Sequence, residues 1–183
     1  MKSMLILSTL AGSILSSGSI HAADALDDMY FGIKLGKAYY DNGEPANFSD
    51  AWNSIALFGY EVTKSFAVEV EASTSSVRGD LSWVATDNYA KSTQGINWNL
   101  DMAGVYGVYR TSGDLYAKAR AGLVYSEVSA NVTTPFPVGG SEANLVAGFG
   151  GGWQVSDLLT LEAGYTFLNS DTSILAGGLN ISY

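Results

Sequence analysis

The stretch ANLVAGFGGGWQVSDLLTLEAGYTFLNSDTSILAGGLNISY, Ala143–Tyr183, decides the fold. Read in twos, Leu145, Ala147, Phe149, Gly151 and Trp153 share one face, and Asn144, Gly148, Gly150, Gly152 and Gln154 the other. After a break at Ser156 and Asp157, Leu159, Leu161, Ala163, Tyr165 and Phe167 alternate with Thr160, Glu162, Gly164 and Thr166. A second break, Asn169 to Asp171, leads into Leu175, Gly177, Leu179, Ile181 and Tyr183, interleaved with Ala176, Gly178, Asn180 and Ser182. A period of two is that of a β-strand, whose successive side chains point to opposite faces.

The apolar face of these strands carries large aromatics, and the other face carries glycines and an occasional charge. A water-soluble barrel would place its bulky apolar residues inside. Here the apolar side is read as facing lipid and the small, polar side as lining a narrow lumen. Upstream runs read alike. Phe31, Ile33, Leu35 and Tyr39 alternate with Gly32, Lys34 and Gly36 over about Met29 to Tyr40. Phe58, Tyr60 and Val62 oppose Gly59 and Glu61, although Ile55-Ala56-Leu57 before them does not alternate cleanly. After a tight turn at Thr63-Lys64-Ser65, Phe66, Val68, Val70 and Ala72 alternate with Ala67, Glu69, Glu71 and Ser73. A fourth strand sets Ile96, Trp98, Leu100, Met102, Tyr106 and Val108 against Asn97, Asn99, Asp101 and Gly107. The fifth sets Leu115, Ala117, Ala119, Ala121, Leu123 and Tyr125 against Tyr116, Lys118, Arg120, Gly122 and Ser126.

The spacing therefore predicts eight antiparallel strands joined by turns of alternating length, with loops at Asp41–Asp50, Arg78–Gln94 and Asn131–Glu142 that hold all three prolines. That is the pattern of an all-β, up-and-down transmembrane barrel with both termini on the periplasmic side. Tyr39, Tyr40, Trp52, Trp98, Tyr125 and Phe167 fall near the outer strand ends, and Tyr60, Phe66, Tyr106, Trp153 and Tyr183 near the inner ends, as girdles at the two interfaces. Charged residues make up only 15% of the chain, below the roughly 25% of a soluble domain. Residues 1–22 read as an export signal: Lys2, an apolar run from Met4 to Ile14, then small residues up to His21-Ala22-Ala23. Cleavage is expected after Ala22, with Ala23 as the alternative, leaving 23–183 as the barrel. The segment is too short and too serine-rich to span a bilayer, which takes about 20 apolar residues. Its removal leaves eight basic and eighteen acidic residues, a net charge of −10. An acidic chain without a basic run is not expected to bind nucleic acid.

Four segments resemble the small eight-stranded outer-membrane proteins of the OmpA/OmpX and opacity type. They are Gly59–Glu69 around the first short turn, Tyr116–Tyr125, Gly150–Asp157, and the terminal Leu179-Asn180-Ile181-Ser182-Tyr183. The resemblance implies an outer-membrane barrel in contact with lipid and lipopolysaccharide, and an assembly signal at Leu179, Ile181 and Tyr183 read by the barrel-assembly machinery. Larger members of that family add a peptidoglycan-binding domain; the likeness ends at the barrel, so that function is not carried over.

The expected lumen residues are Lys34, Lys118 and Arg120 against Glu61, Glu69, Glu71, Asp101 and Glu162. An eight-stranded barrel has room for side chains and little else, so charges inside must pair, and a salt-bridged plug is expected in place of an open pore. No cysteine is present, and the only histidine leaves with the signal, so neither a Ser-His-Asp nor a Cys-His arrangement can form. Glu69 and Glu71 share a strand face at roughly 7 Å but sit among basic partners and read as structural. The glycine run Gly148-Phe149-Gly150-Gly151-Gly152 lacks the Lys-Ser/Thr ending of a phosphate loop. Catalysis, cofactors and metals are accordingly not expected. The expected role is that of a monomeric structural or surface-interaction protein, meeting a ligand or host surface through its loops. The alternatives are a narrow channel and, with the faces reversed, a soluble binding barrel of lipocalin type.

Overall fold

The structure, a computed structural model, describes residues 28–40, 46–48, 50–77, 79–83, 96–130 and 139–182; the expected signal, Tyr183 and most of each long loop lie outside the described residues. The strands are β1 (Met29–Tyr40), β2 (Ala46–Phe48), β3 (Ala51–Thr63), β4 (Phe66–Val77), β5 (Gly79–Trp83), β6 (Ile96–Arg110), β7 (Leu115–Ala130), β8 (Gly139–Gln154), β9 (Leu159–Phe167) and β10 (Thr172–Ser182). Eight of them follow one another around a closed antiparallel barrel in the order β1-β3-β4-β6-β7-β8-β9-β10. Closure comes from β1 and β10, paired without a break from Tyr30↔Ser182 to Tyr40↔Thr172. Closing the sheet removes its edges, so the ladder satisfies the strand amides without water.

Short connections are set by local chemistry. Thr63 Oγ1 accepts hydrogen bonds from the Ser65 and Phe66 amides at 3.3 and 3.1 Å. Gly113 supplies a positive φ, 116°, in the β6–β7 turn. Asn169 Oδ1 accepts from the Asp171 and Thr172 amides at 2.9 and 2.7 Å, a side-chain mimic of a backbone turn.

At the long-loop end the strands reach further than expected. β2 and β5 form inside segments read as loops, pairing with each other and, through Gly79↔Trp98 to Leu81↔Ile96, with β6. β8 starts at Gly139, so residues 139–142 are strand too. A strand that has risen past the apolar band no longer has an apolar face to alternate, so polar composition there does not mark a loop.

The faces are inverted relative to a soluble barrel. Phe31, Ile33, Leu35, Phe58, Leu123, Phe149 and Leu175 are exposed on the outer surface, while Lys34, Glu69, Glu71, Lys118 and Glu162 are buried inside. β6 is the strand whose facing was read wrongly. Trp98, Leu100, Tyr106 and Val108 are buried in the lumen, and Tyr109 is on the outer surface. Tyr40 also turns inward and packs on Trp98, ring centroids 5.8 Å apart. These three aromatics, Tyr40, Trp98 and Tyr106, therefore belong to the filling of the barrel and not to a girdle. Trp52, Phe66, Tyr125, Trp153 and Phe167 do lie outside.

Candidate functional site

The inward faces of the strands meet in a lumen whose lower half, toward the short turns, is charged. Strand register explains how such large side chains fit. Each lies directly across the ladder from a glycine: Lys34 from Gly178, Lys118 from Gly150, Arg120 from Gly148, Glu69 from Gly59, Glu71 from Gly104 and Glu162 from Gly152. Three tyrosines obey the same rule, Tyr30 opposite Gly59, Tyr106 opposite Gly122 and Tyr116 opposite Gly152. A Cβ on Gly59 would run into the Tyr30 ring, and one on Gly152 into the Tyr116 ring. Glycine is required here for space, and the ring shields the backbone that glycine bares.

The charges converge on two carboxylates. Glu69, wholly buried, accepts from Lys118 Nζ at 2.5 Å, from the Tyr30 hydroxyl at 2.7 Å and from Arg110 Nη2 at 3.1 Å. Glu162 receives Lys118 Nζ at 2.9 Å and the Tyr116 hydroxyl at 2.6 Å, with Lys34 Nζ at 3.0 Å. One level further toward the loop end, Arg120 Nη1 donates to Glu71 at 2.6 Å, and its Nε and Nη2 donate to Thr166 Oγ1. Arg110 closes the turn end. Its guanidinium lies 4.6 Å from the Tyr30 ring centroid and 5.7 Å from that of Tyr116, and it reaches Glu61 at 3.0 Å. Bonds between ionised groups in a desolvated lumen are the strong kind, and each one also compensates a burial cost.

Of the eight residues expected in the lumen, Lys34, Glu69, Glu71, Lys118, Arg120 and Glu162 are brought together. Glu61 stands at the turn-end mouth, its side chain 42% exposed, and joins through Arg110. Asp101 does not belong: it lies on the outer face of β6 opposite Glu127 and accepts from the Thr74 hydroxyl at 2.6 Å. Its misplacement follows directly from the misread facing of β6. Three further residues join the network: Tyr30 and Arg110, which the alternation does not place, and Tyr116, which it sets on the lumen face without a partner. Arg110 ends β6 just before a turn, so it looks like a surface charge, and Tyr30, near the start of β1, looks like a girdle residue. The signal that finds them is the glycine across the ladder.

Toward the loop end the lumen is apolar. Ile55, Trp98, Leu100, Val124, Val146, Leu168 and Ile174 are buried together above the ions. Asn53 and Ser75 thread through this layer and are satisfied there, Asn53 Nδ2 donating to the Leu100 carbonyl at 2.8 Å and Ser75 Oγ accepting from the Leu100 amide at 2.8 Å. The arrangement can hold and compensate charge. It contains no histidine or cysteine, and among the described residues no group of His, Cys, Asp or Glu converges as a metal site.

No protein-family model matches the sequence, and neither does any curated protein sequence. Solved structures do match. Neisserial surface protein A (NspA) aligns over 85% of this chain and 97% of its own, at 13% identity and a TM-score of 0.58. The outer membrane protein OprG from Pseudomonas aeruginosa aligns over 87% and 98%, at 10% identity and a TM-score of 0.59. A major outer membrane protein from Thermus thermophilus aligns over 85% and 99%, at 10% identity and a TM-score of 0.54. With its closed eight-stranded order and inverted faces, the chain has the fold of the small eight-stranded outer-membrane β-barrels.

Proposed function

We propose that this chain is an integral outer-membrane protein that works as a sealed structural and surface-interaction barrel, without catalysis and without a through-pore. The observation that carries the proposal is the filling of the lumen: an ion-paired layer toward the turns and a buried apolar layer toward the loops, stacked in series. Water and ions crossing such a barrel would have to break both.

The outer surface supports the membrane placement. On β7 the outward residues from Leu115 to Tyr125 are apolar throughout, and Glu127 follows them. Ten residue steps at about 3.4 Å, on a strand tilted by about 40°, give a band of about 26 Å, close to the apolar height of outer-membrane barrels. Beyond that band β6, β7 and β8 continue as a paired sheet, with Asn99↔Ser129 and Ser129↔Gly139 among its last rungs. That raised polar wall is the part we assign to contact with lipopolysaccharide or an extracellular surface. Leu179 and Ile181 face outward on the last strand, where the assembly machinery would read them together with Tyr183.

Planar-bilayer recording on the refolded protein tests the seal. A sealed barrel gives a quiet baseline at either polarity. Steady, reproducible single-channel steps would replace this reading with that of a narrow channel.

A further inference from the structure

In charge the lumen network is balanced. Among the described residues four cations, Lys34, Arg110, Lys118 and Arg120, meet four carboxylates, Glu61, Glu69, Glu71 and Glu162. Its hydrogen bonds are shared out less evenly. Glu69 is wholly buried, and its three donors, Lys118, Tyr30 and Arg110, all meet Oε1. Oε2 is buried too and receives no hydrogen bond among the described residues. An ionised oxygen out of reach of bulk water is costly to leave without a donor.

Beside that oxygen lies a cavity of about 20 Å³, polar on the side formed by Lys34, Lys118, Arg120 and Glu162 and apolar where Phe149, Ala163 and Ala176 line it. The polar side has donors to spare. An ammonium carries three N–H groups and a guanidinium five. Lys118 spends two of its three, on Glu69 and Glu162. Lys34 reaches Glu162 at 3.0 Å but comes only to 3.8 Å of Glu71. Arg120 spends three of five, on Glu71 and Thr166. An occupant of this space must accept from the cations, donate to Glu69, and leave the charge balance untouched. A cavity of this size has room for one water, which needs two to four polar partners.

We infer that a single structural water is held here, accepting from the lysine and arginine N–H groups and donating to Glu69 Oε2. It completes the hydrogen bonding of the ion layer and is as much a part of the plug as the side chains. The inference rests on the lumen geometry, and the bilayer recording that tests the seal does not decide it: one enclosed water is not a conducting file.

The test uses the refolded full barrel in detergent. Oxygen-17 and deuterium relaxation dispersion of the solvent counts long-lived internal waters, and it is compared between wild type and Ala176→Val. Ala176 is buried and lies across the ladder from Gly36 and Gly164, so the added methyl groups enter the cavity. The variant should lose the amplitude of one water, and Ala147→Val, on the exposed outer face, should lose none. Crystals of the wild-type barrel grown in sodium bromide should show one density peak within hydrogen-bond distance of Glu69 Oε2 and of at least one of the three cations, with no anomalous signal. If Ala176→Val does not fold, the crystals decide on the wild-type protein alone. Equal dispersion in wild type and Ala176→Val, an empty cavity, or an anomalous bromide peak at that position overturns the inference.

Discussion

Replacing Lys118 by Met tests whether the lumen is dry. The substitution nearly preserves volume and removes two bonds to carboxylates, 2.5 Å to Glu69 and 2.9 Å to Glu162. Hydrogen bonds to charged groups contribute about 1.5–3 kcal/mol each, and breaking a buried pair costs about 3–5 kcal/mol. Glu69 keeps Tyr30 and Arg110, and Glu162 keeps Lys34 and Tyr116, so the lower part of that range applies, about 3 kcal/mol. Glu69→Gln is expected to cost about 1.5 kcal/mol less in the Lys118→Met background than in the wild type, the coupling between neighbouring sites. Urea unfolding from lipid vesicles, followed by tryptophan fluorescence and by gel mobility, measures both steps. A Lys118→Met barrel within about 0.5 kcal/mol of wild type, or strict additivity in the double variant, would show that these ions are hydrated and that the lumen is a wet path.

Gly122→Ala is expected to cost about 1–3 kcal/mol in the same assay, because its Cβ would come within 2.8 Å of Tyr106 Cα and closer still to the Val105 carbonyl. Gly107→Ala, on the outer face with its nearest neighbour 3.9 Å away, should change stability by less than about 0.5 kcal/mol. Phe149→Lys, midway along the outward row of β8, should cost about 2–4 kcal/mol in vesicles; a stability gain would mean that this face meets water. Asp101→Asn relieves like charge directly opposite Glu127 and should stabilise by about 0.2–1 kcal/mol, with the gain shrinking as salt is added.

Most of the barrel is legible in period-two alternation, because lipid outside and a narrow lumen inside leave each residue little choice of face. β7, β8, β9 and β10 follow that logic throughout. The logic weakens where the lumen itself turns apolar. On β6, Trp98, Leu100, Tyr106 and Val108 point inward while Val105 and Tyr109 point outward, so both faces carry hydrophobic residues and the alternation names no side. Ile55 and Leu57 on β3 fail to alternate cleanly for the same reason: both fill the lumen, opposite an outer face of Ala56 and Phe58. The partners of the charges were less legible than the charges. Arg110 is 49 residues from Glu61 and 41 from Glu69, and only the registers of β3 with β4 and of β4 with β6 bring them together.

Spin labels placed one at a time along residues 144–153 of β8 in a lipid bilayer would report which side of the wall each side chain occupies. An outward apolar wall around a sealed lumen predicts a period of two, with labels at 145, 147, 149, 151 and 153 open to membrane-dissolved oxygen and those between shielded from oxygen and from a water-soluble relaxation agent alike. The opposite phase, or inward positions freely reached by the water-soluble agent, would contradict it.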